Sequence, residues 1–415
     1  MFSQPGVSLS EQVVQVPRTE VPSAVPVFIG WAQPQHATAG LVRIASWEAY
    51  KTRFGDAPVC PVPGRTGLLR DCVRHYFASG GQPCYVLPIA VNLPQVPSPL
   101  QAQDADTNAD PGVSDEVLAH ALCDETLFAR IAAEPAITLL AAPDLALLSD
   151  THTELWLQVW TTWLAKRPPG VFCVLDAPRT REATERLLKA SNWTDGEHAA
   201  AYWPHLFVDG PGGLQDTPVL LPPSATVIAA MQRSDREHGV WKAPANAALP
   251  NVIKPEHSHW DAQNLFQESG SSINLIRSFA GRGVRVWGCR TLSSDNVPRH
   301  RYLQTRRLLS HIESSLHEVA RFATFEPNNE ITWMKLKGFI YAWLHALWLA
   351  GGLYGRAENE AFWIKVGLGE TMTAEDVAQG HLVVRIGVAA MMPAEFIDLT
   401  LQLRIGETDA EMMRT

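Results

Sequence analysis

The sequence predicts an α/β fold in two domains. A larger domain carries a mostly parallel sheet, an α+β domain follows and ends in a β-hairpin, and an extended arm lies at each end. Three observations carry this reading. Short apolar runs alternate with amphipathic helical stretches from Val25 to Val208, as parallel strands buried on both faces require. Near the end of the sequence, Ile397, Leu399, Leu401, Leu403 and Ile405 alternate with Asp398, Thr400, Gln402 and Arg404, which is strand periodicity. At the start, Pro17, Pro22 and Pro26 exclude a helix and any central strand position. The expected boundaries are 1–24 for the N-terminal arm, 25–270 for the α/β domain, 271–395 for the second domain and 396–415 for the C-terminal strand.

In the first arm Val7 and Leu9 alternate with Ser8 and Ser10, and Val13 continues the apolar series. Such a segment cannot bury itself; it pairs along a sheet edge or stays unpaired. Val25–Gly30 is the first buried strand. Ser46 caps a helix that runs to Phe54, with Glu48 in its first turn. Gly67–Ala78 places Leu68, Leu69, Cys72, Val73 and Tyr76 on one face, and Gly80-Gly81 stops that helix. Cys84–Ile89 is a strand, and the Pro-, Gln- and Asp-rich stretch 94–112 is a surface loop. Ser114–Ala133 reads as one helix, Ile137–Ala142 as a strand, Thr151–Lys166 as a helix, Val171–Leu175 as a strand, Arg179–Ser191 as a helix and Tyr202–Val208 as a strand. Ser224 is the expected cap of the next helix.

Ser271–Leu292 alternates, turns on Gly281 and Gly283, and resumes as a strand at Val284–Trp287. Beyond it, Arg299–Phe322 is expected as one helix carrying Arg299, Arg301, Arg306 and Arg307. Thr332–Leu353 is a second helix and Ala361–Val366 a strand. Thr373 opens one capped turn. His381–Ala389 pairs with the strand that starts near Ile397.

Composition excludes several classes. The formal net charge of −9 disfavours a nucleic-acid backbone as partner, although the Arg299–Arg307 cluster is basic. The six cysteines form no C-x-x-C pair and read as free thiols. MFSQPGVSLSEQ lacks the basic and apolar regions of a secretory signal. Gly338–Leu353 imitates a membrane span but is too short and contains His345; a buried helix fits better.

No catalytic motif is complete. His152-Thr153-Glu154 has the H-x-E of zinc deaminases without their second cysteine pair. Gly281-Arg282-Gly283 lacks the third glycine of a dinucleotide loop. Phosphate-loop, serine-elbow and zincin motifs are absent. His257 and His259 lie in a polar loop. Asp144, Asp176 and Asp209 each follow an apolar strand and would line one sheet edge. That is where α/β sheets place ligands, and equally where turns place aspartates. Cofactor and metal are expected to be absent.

Four stretches carry a family resemblance: Gly239-Val240-Trp241-Lys242-Ala243-Pro244-Ala245-Asn246, the N-L-I-R to R-T-L run from Asn274 to Leu292, F-E-P-N at Phe325–Asn328, and P-A-E-F at Pro393–Phe396. In this order they resemble the contractile tail sheath proteins of phages and of extracellular injection systems, including the antifeeding prophage and Photorhabdus virulence cassette types. The resemblance implies an outer α/β domain of subtilisin-like fold and an inner sheath domain. It implies self-assembly into hexameric rings and a helical polymer, and contacts with sheath paralogues, an inner tube, and baseplate and cap proteins. It further implies no enzyme activity, no nucleic acid, no membrane insertion, and assembly in the bacterial cytoplasm before release as a particle. Arms exchanged between subunits would be strands at Val7, Leu9 and Val13 and at Ile397, Leu399, Leu401 and Leu403. Arg299, Arg301, Arg306 and Arg307 would face the tube or a neighbour. The chain's length suits the core plus one outer domain, so the injection-system type fits, as the subunit nearest the baseplate. A compact phage or bacteriocin sheath is the alternative within the family, and a subtilisin-like hydrolase the alternative outside it.

Overall fold

A computed structural model describes residues 21–33, 40–60, 65–89, 111–190, 192–210, 217–258, 262, 264–266, 270–295, 297–390 and 396–404. The chain divides into two compact units, one from Pro22 to Ile312 and one from Glu313 onward.

In the first unit, strands β1 (Pro26–Gly30) and β2 (Val42–Ile44) lead to helices α1 (Trp47–Phe54) and α2 (Leu69–Ala78). Next come β3 (Cys84–Pro88), α3 (Pro111–Leu122), α4 (Glu125–Ala132) and β4 (Leu139–Ala141). Then follow α5 (Thr153–Lys166), β5 (Phe172–Asp176), α6 (Arg181–Lys189), β6 (Ala199–Trp203), β7 (Leu206–Val208) and β8 (Val219–Leu221). The unit ends with α7 (Ser224–His238), β9 (Val252–Pro255), β10 (Asn274–Phe279), β11 (Gly283–Trp287), α8 (Pro298–Arg301) and the start of α9 (Leu303–Ala320).

Eight strands form one sheet in the order β11-β10-β6-β5-β4-β1-β3-β2. Its six central strands are parallel; β2 and β11 close the two edges antiparallel. Alternate residues feed two cores. Val27, Ile29, Cys173 and Leu175 face Trp156, Trp160 and Trp163 of α5, with Leu118 and Leu187. Phe28, Phe172 and Val174 face Tyr50, Val73 and Tyr76, with Ile228 and Met231 of α7. Covering both faces explains why these strands are apolar throughout rather than alternating. A second, three-stranded antiparallel sheet has the order β8-β7-β9.

The second unit holds the rest of α9, then α10 (Glu330–Leu349), α11 (Glu358–Ala361), β12 (Phe362–Lys365), α12 (Ala374–Ala378), β13 (His381–Ala389) and β14 (Phe396–Arg404). Its sheet is β12-β13-β14, antiparallel throughout.

Several sequence expectations shift for physical reasons. The boundary expected at 270/271 falls inside the first unit, because β10 pairs in parallel with β6 and extends the large sheet. The helix expected over Ser114–Ala133 is two helices: Asp124 is extended and its carboxylate accepts the Thr126 N–H at 2.8 Å, starting α4 afresh. Tyr202–Val208 splits around Pro204, and Leu206–Val208 joins the other sheet. The residue before α7 is Pro223, so Ser224 is its first residue and not its cap. Arg299–Phe322 breaks at Tyr302, which forms a bridge with Arg290 while the Leu303 N–H bonds Cys289 O.

The stretches behind the resemblance have structural work in common. Gly239 ends α7 at φ +91°, and a side chain there would collide with the Trp241 ring. Asn246 N–H donates to Val286 O, and Leu249 N–H to Val284 O, so this loop covers the outer edge of β11. Asn274, fully buried, accepts from Arg290 N–H at 2.7 Å and donates to Arg290 O at 2.7 Å, tying β10 to the segment after β11. Asn328 donates to His381 O and accepts from the Trp333 indole, fixing the start of α10 to β13, while Asn329 caps α10. Pro393–Glu395 lies outside the described residues.

Candidate assembly surfaces

The β13–β14 pair is continuous over nine residues, from His381 opposite Arg404 to Ala389 opposite Phe396. The register sets Leu403, Leu401, Leu399 and Ile397 opposite Leu382, Val384, Ile386 and Val388, and these four β13 side chains are fully buried. A strand expected as an exchange arm is thus paired within its own chain. Among the described residues β12 and β14 are the outer strands of this sheet, each paired with a strand on one side only. Val7, Leu9 and Val13, the expected complement, lie outside the described residues. Among the described residues, 11 large apolar side chains stand exposed, and seven belong to the second unit: Phe325, Ile331, Met334, Tyr341, Leu349, Tyr354 and Leu368.

The four arginines separate. Arg299 is exposed with its Nε donating to His300 at 3.2 Å, and Arg301 and Arg306 are half-buried. Arg307 is not a surface charge. It is 4% exposed, and its guanidinium bonds Asp235 of α7 at 2.5 Å and Ser23 O at 3.1 Å. Arg299 lies in α8 and Arg307 in α9, on either side of the break at Tyr302, so the two share no helix face.

The three strand-end aspartates do not form a site. Asp144 is buried and accepts backbone N–H groups of Trp31, Leu68 and Leu69, joining the end of β1 to the start of α2. Asp176 is buried and accepts the Ser224 N–H and hydroxyl, holding the start of α7. Burial pushes Asp144 up to about 6 and Asp176 to about 7, against hydrogen bonds that pull down. Asp209 is half-buried, and its backbone carbonyl, not its carboxylate, accepts from Arg74. These are tie points of loops and helix starts.

His152 of the H-x-E imitation bonds buried Asp115 through Nδ1 at 2.8 Å. The same carboxylate accepts the Ser149 N–H and an Arg65 N–H, while the Ser149 hydroxyl is bonded to Thr151. This buried hub ties α3 to the approach of α5, and no local spacing in the sequence announces it. Among the described residues no group of three or more His, Cys, Asp or Glu could hold a metal ion. No helix among them is long and apolar enough to cross a membrane.

No family profile matches the chain, and no curated protein sequence does. Solved structures do. A chain of the anti-feeding prophage baseplate in the contracted state is 34% identical, with TM-score 0.77, covering 98% of this chain and 100% of that one. A chain of the PVC sheath complex of an extracellular contractile injection system, contracted, is 30% identical, with TM-score 0.69 over 97% and 98%. The chain belongs to the contractile injection system sheath proteins. The sheath tail protein Lin1278 of Listeria innocua shares the fold at 11% identity, with TM-score 0.59 over 92% and 96%. The sheath relatives span the same length as this chain, so both units and the C-terminal sheet lie within the shared architecture.

Proposed function

We propose that this protein is a subunit of a contractile sheath that surrounds an inner tube, polymerises as stacked rings, and shortens to drive the tube into a target envelope. The observation that carries the reading is full-length similarity to contracted sheath structures, in a chain whose second unit ends in a sheet with β12 and β14 as its outer strands among the described residues. Strand addition at such an edge supplies backbone bonds and alternating side-chain pockets. About eight such bonds at roughly 0.5–1.5 kcal/mol each amount to about 4–12 kcal/mol. Exposed ion pairs contribute only about 0–1 kcal/mol each. Strand links therefore persist while charged faces, Arg299 and Arg301 among them, change partners during contraction.

In this reading Val7, Leu9 and Val13 of one copy complement the β12 or β14 edge of another. Removing residues 1–16 should abolish cylinders while leaving the folded subunit's circular dichroism spectrum intact; truncated chains that still assemble and contract would refute the arm assignment. Placement near the baseplate rests on the 34% identity and TM-score 0.77 to one baseplate chain; a second baseplate chain, at 29%, is level with the 30% of the sheath chains. Co-purification with baseplate proteins, in preference to long cylinders, tests that placement. Catalysis has no part in the reading: a fluorophosphonate probe should leave the chain unlabelled.

A further inference from the structure

The β10–β11 hairpin presents an unbalanced charge. From Ser271 to Leu292 the chain has four arginines, Arg277, Arg282, Arg285 and Arg290, and no aspartate or glutamate. Arg277 and Arg285 are register partners across the hairpin, on the same face as the pair Leu275 and Trp287. Like charges set directly opposite are unfavourable in an antiparallel pair. Among the described residues no carboxylate pairs with Arg277, Arg282 or Arg285. Arg282 and Arg285 bond Asn246 and backbone carbonyls, whereas among the described residues the buried Nε of Arg277 has no partner. A buried donor left unmet is a standing cost.

Arg277 lines a groove of about 560 Å³, with Leu275, Trp287, Gly288, Asn246 and Phe266. Phe266 is 42% exposed and Trp287 39%, so aromatic walls stand open beside the guanidinium. The edge of β11 is already covered by Asn246–Leu249, so an occupant would bind through side chains on this face and not by extending the sheet.

We propose that this groove receives the acidic segment Glu407–Met413 of a neighbouring copy. Glu407, Asp409 and Glu411 occur at every second position, and Met412 and Met413 follow. In an extended segment those carboxylates share one face, spaced about 7 Å apart, a spacing that lets two of them reach guanidiniums on adjacent strands. Methionine thioethers suit the aromatic walls. The charge assignment makes an acidic protein segment the occupant rather than a nucleic acid, in keeping with the chain's net charge of −9. Only the adjacency of a second copy rests on the sheath reading.

The test is photo-crosslinking within the assembled particle. Full-length Trp287→benzoylphenylalanine chains are co-assembled with isotopically heavy wild-type chains, irradiated, and analysed by mass spectrometry. The expected adduct joins position 287 of a light chain to residues 405–415 of a heavy chain. It should fall at least tenfold in the Arg277→Gln background or when the heavy chain carries Glu407→Gln, Asp409→Asn and Glu411→Gln; Arg277→Lys should retain part of it. Adducts confined to a chain's own tail, to other proteins or to nucleic acid would overturn the proposal, as would an adduct indifferent to Arg277. Striated cylinders with misplaced adducts sink this proposal alone, whereas absence of cylinders from wild-type chains sinks it together with the sheath reading.

Discussion

Arg307 Nη2 lies 2.5 Å from Asp235 Oδ2 with both side chains nearly sealed from solvent, at 3% and 5% exposure. Both partners also hold Ser23: its hydroxyl donates to Asp235 at 2.7 Å and its carbonyl accepts from Arg307 at 3.1 Å. Ala24 O accepts from Gln232, and Val25 N–H donates to Thr138, so the chain is fixed at several points as it enters β1. Any pull on the preceding N-terminal segment enters the α/β unit here.

Breaking a buried pair from one side leaves an uncompensated charge. Asp235→Ala should therefore cost about 3–5 kcal/mol. The double variant Asp235→Leu with Arg307→Met should recover most of that loss. Urea denaturation followed by tryptophan fluorescence reads both; equal midpoints for Asp235→Ala and wild type would contradict the pair's structural role.

The aspartates at the strand ends should rank by the backbone groups they satisfy. Asp144→Ala orphans three N–H groups, those of Trp31 and Leu69 buried and that of Leu68 partly so, and Asp176→Ala orphans one N–H and one hydroxyl, at roughly 1–3 kcal/mol per buried group. Asp209→Ala should stay within about 0.5 kcal/mol of wild type. Thermal melts that place Asp209 beside the other two would reopen this edge as a functional cluster.

Acid should weaken the fold. Burial pushes His75 and His205 down to about 4 and His198 to about 2, and lowers His311 as well. Their unfolded counterparts take up protons first, near 6.5, so stability is lost as pH falls from there towards 4. Asp144 and Asp176, raised by burial, act oppositely between the ordinary aspartate range and about 7, but they are two against four. His205→Gln should shrink the stability change between pH 7 and pH 4 by roughly 3 kcal/mol. An unchanged pH profile in this variant would contradict the assignment.

Gly387 of β13 faces Trp363 of β12, and a Cβ there would sit 2.1 Å from the indole Nε1. Gly387→Ala must displace the ring, at about 1–3 kcal/mol. It should also lower the yield of assembled particles, because the small sheet is the proposed strand acceptor. Gly281→Ala meets open space but sits at φ +71°, so it strains the β10–β11 turn without touching the small sheet and should leave assembly closer to wild type. Particle counts by electron microscopy distinguish the two.

Much of the fold was legible because burial on both faces writes itself as unbroken apolar runs, as in Val27–Ile29 and Cys173–Leu175, and an alternating strand as a period of two, as in Ile397–Leu403. What stayed hidden depends on partners distant in sequence. Nothing near Ser271 shows that β10 will lie beside β6. Arg307 reads as one of a basic series, and only Asp235, 72 residues away, turns it into a buried tie. The like-charged Arg277–Arg285 pair becomes visible only once the hairpin register is known. Tyr302 and Asp124 interrupted expected helices because bonds to Arg290 and Thr126 outcompeted continuation of the helix.

The central claim is that this chain builds a contractile sheath. Negative-stain electron microscopy of the purified protein, alone and co-expressed with the products of neighbouring genes, tests it most directly. The account predicts hollow striated cylinders, wider and shorter after contraction. Monodisperse monomers in both preparations would contradict it.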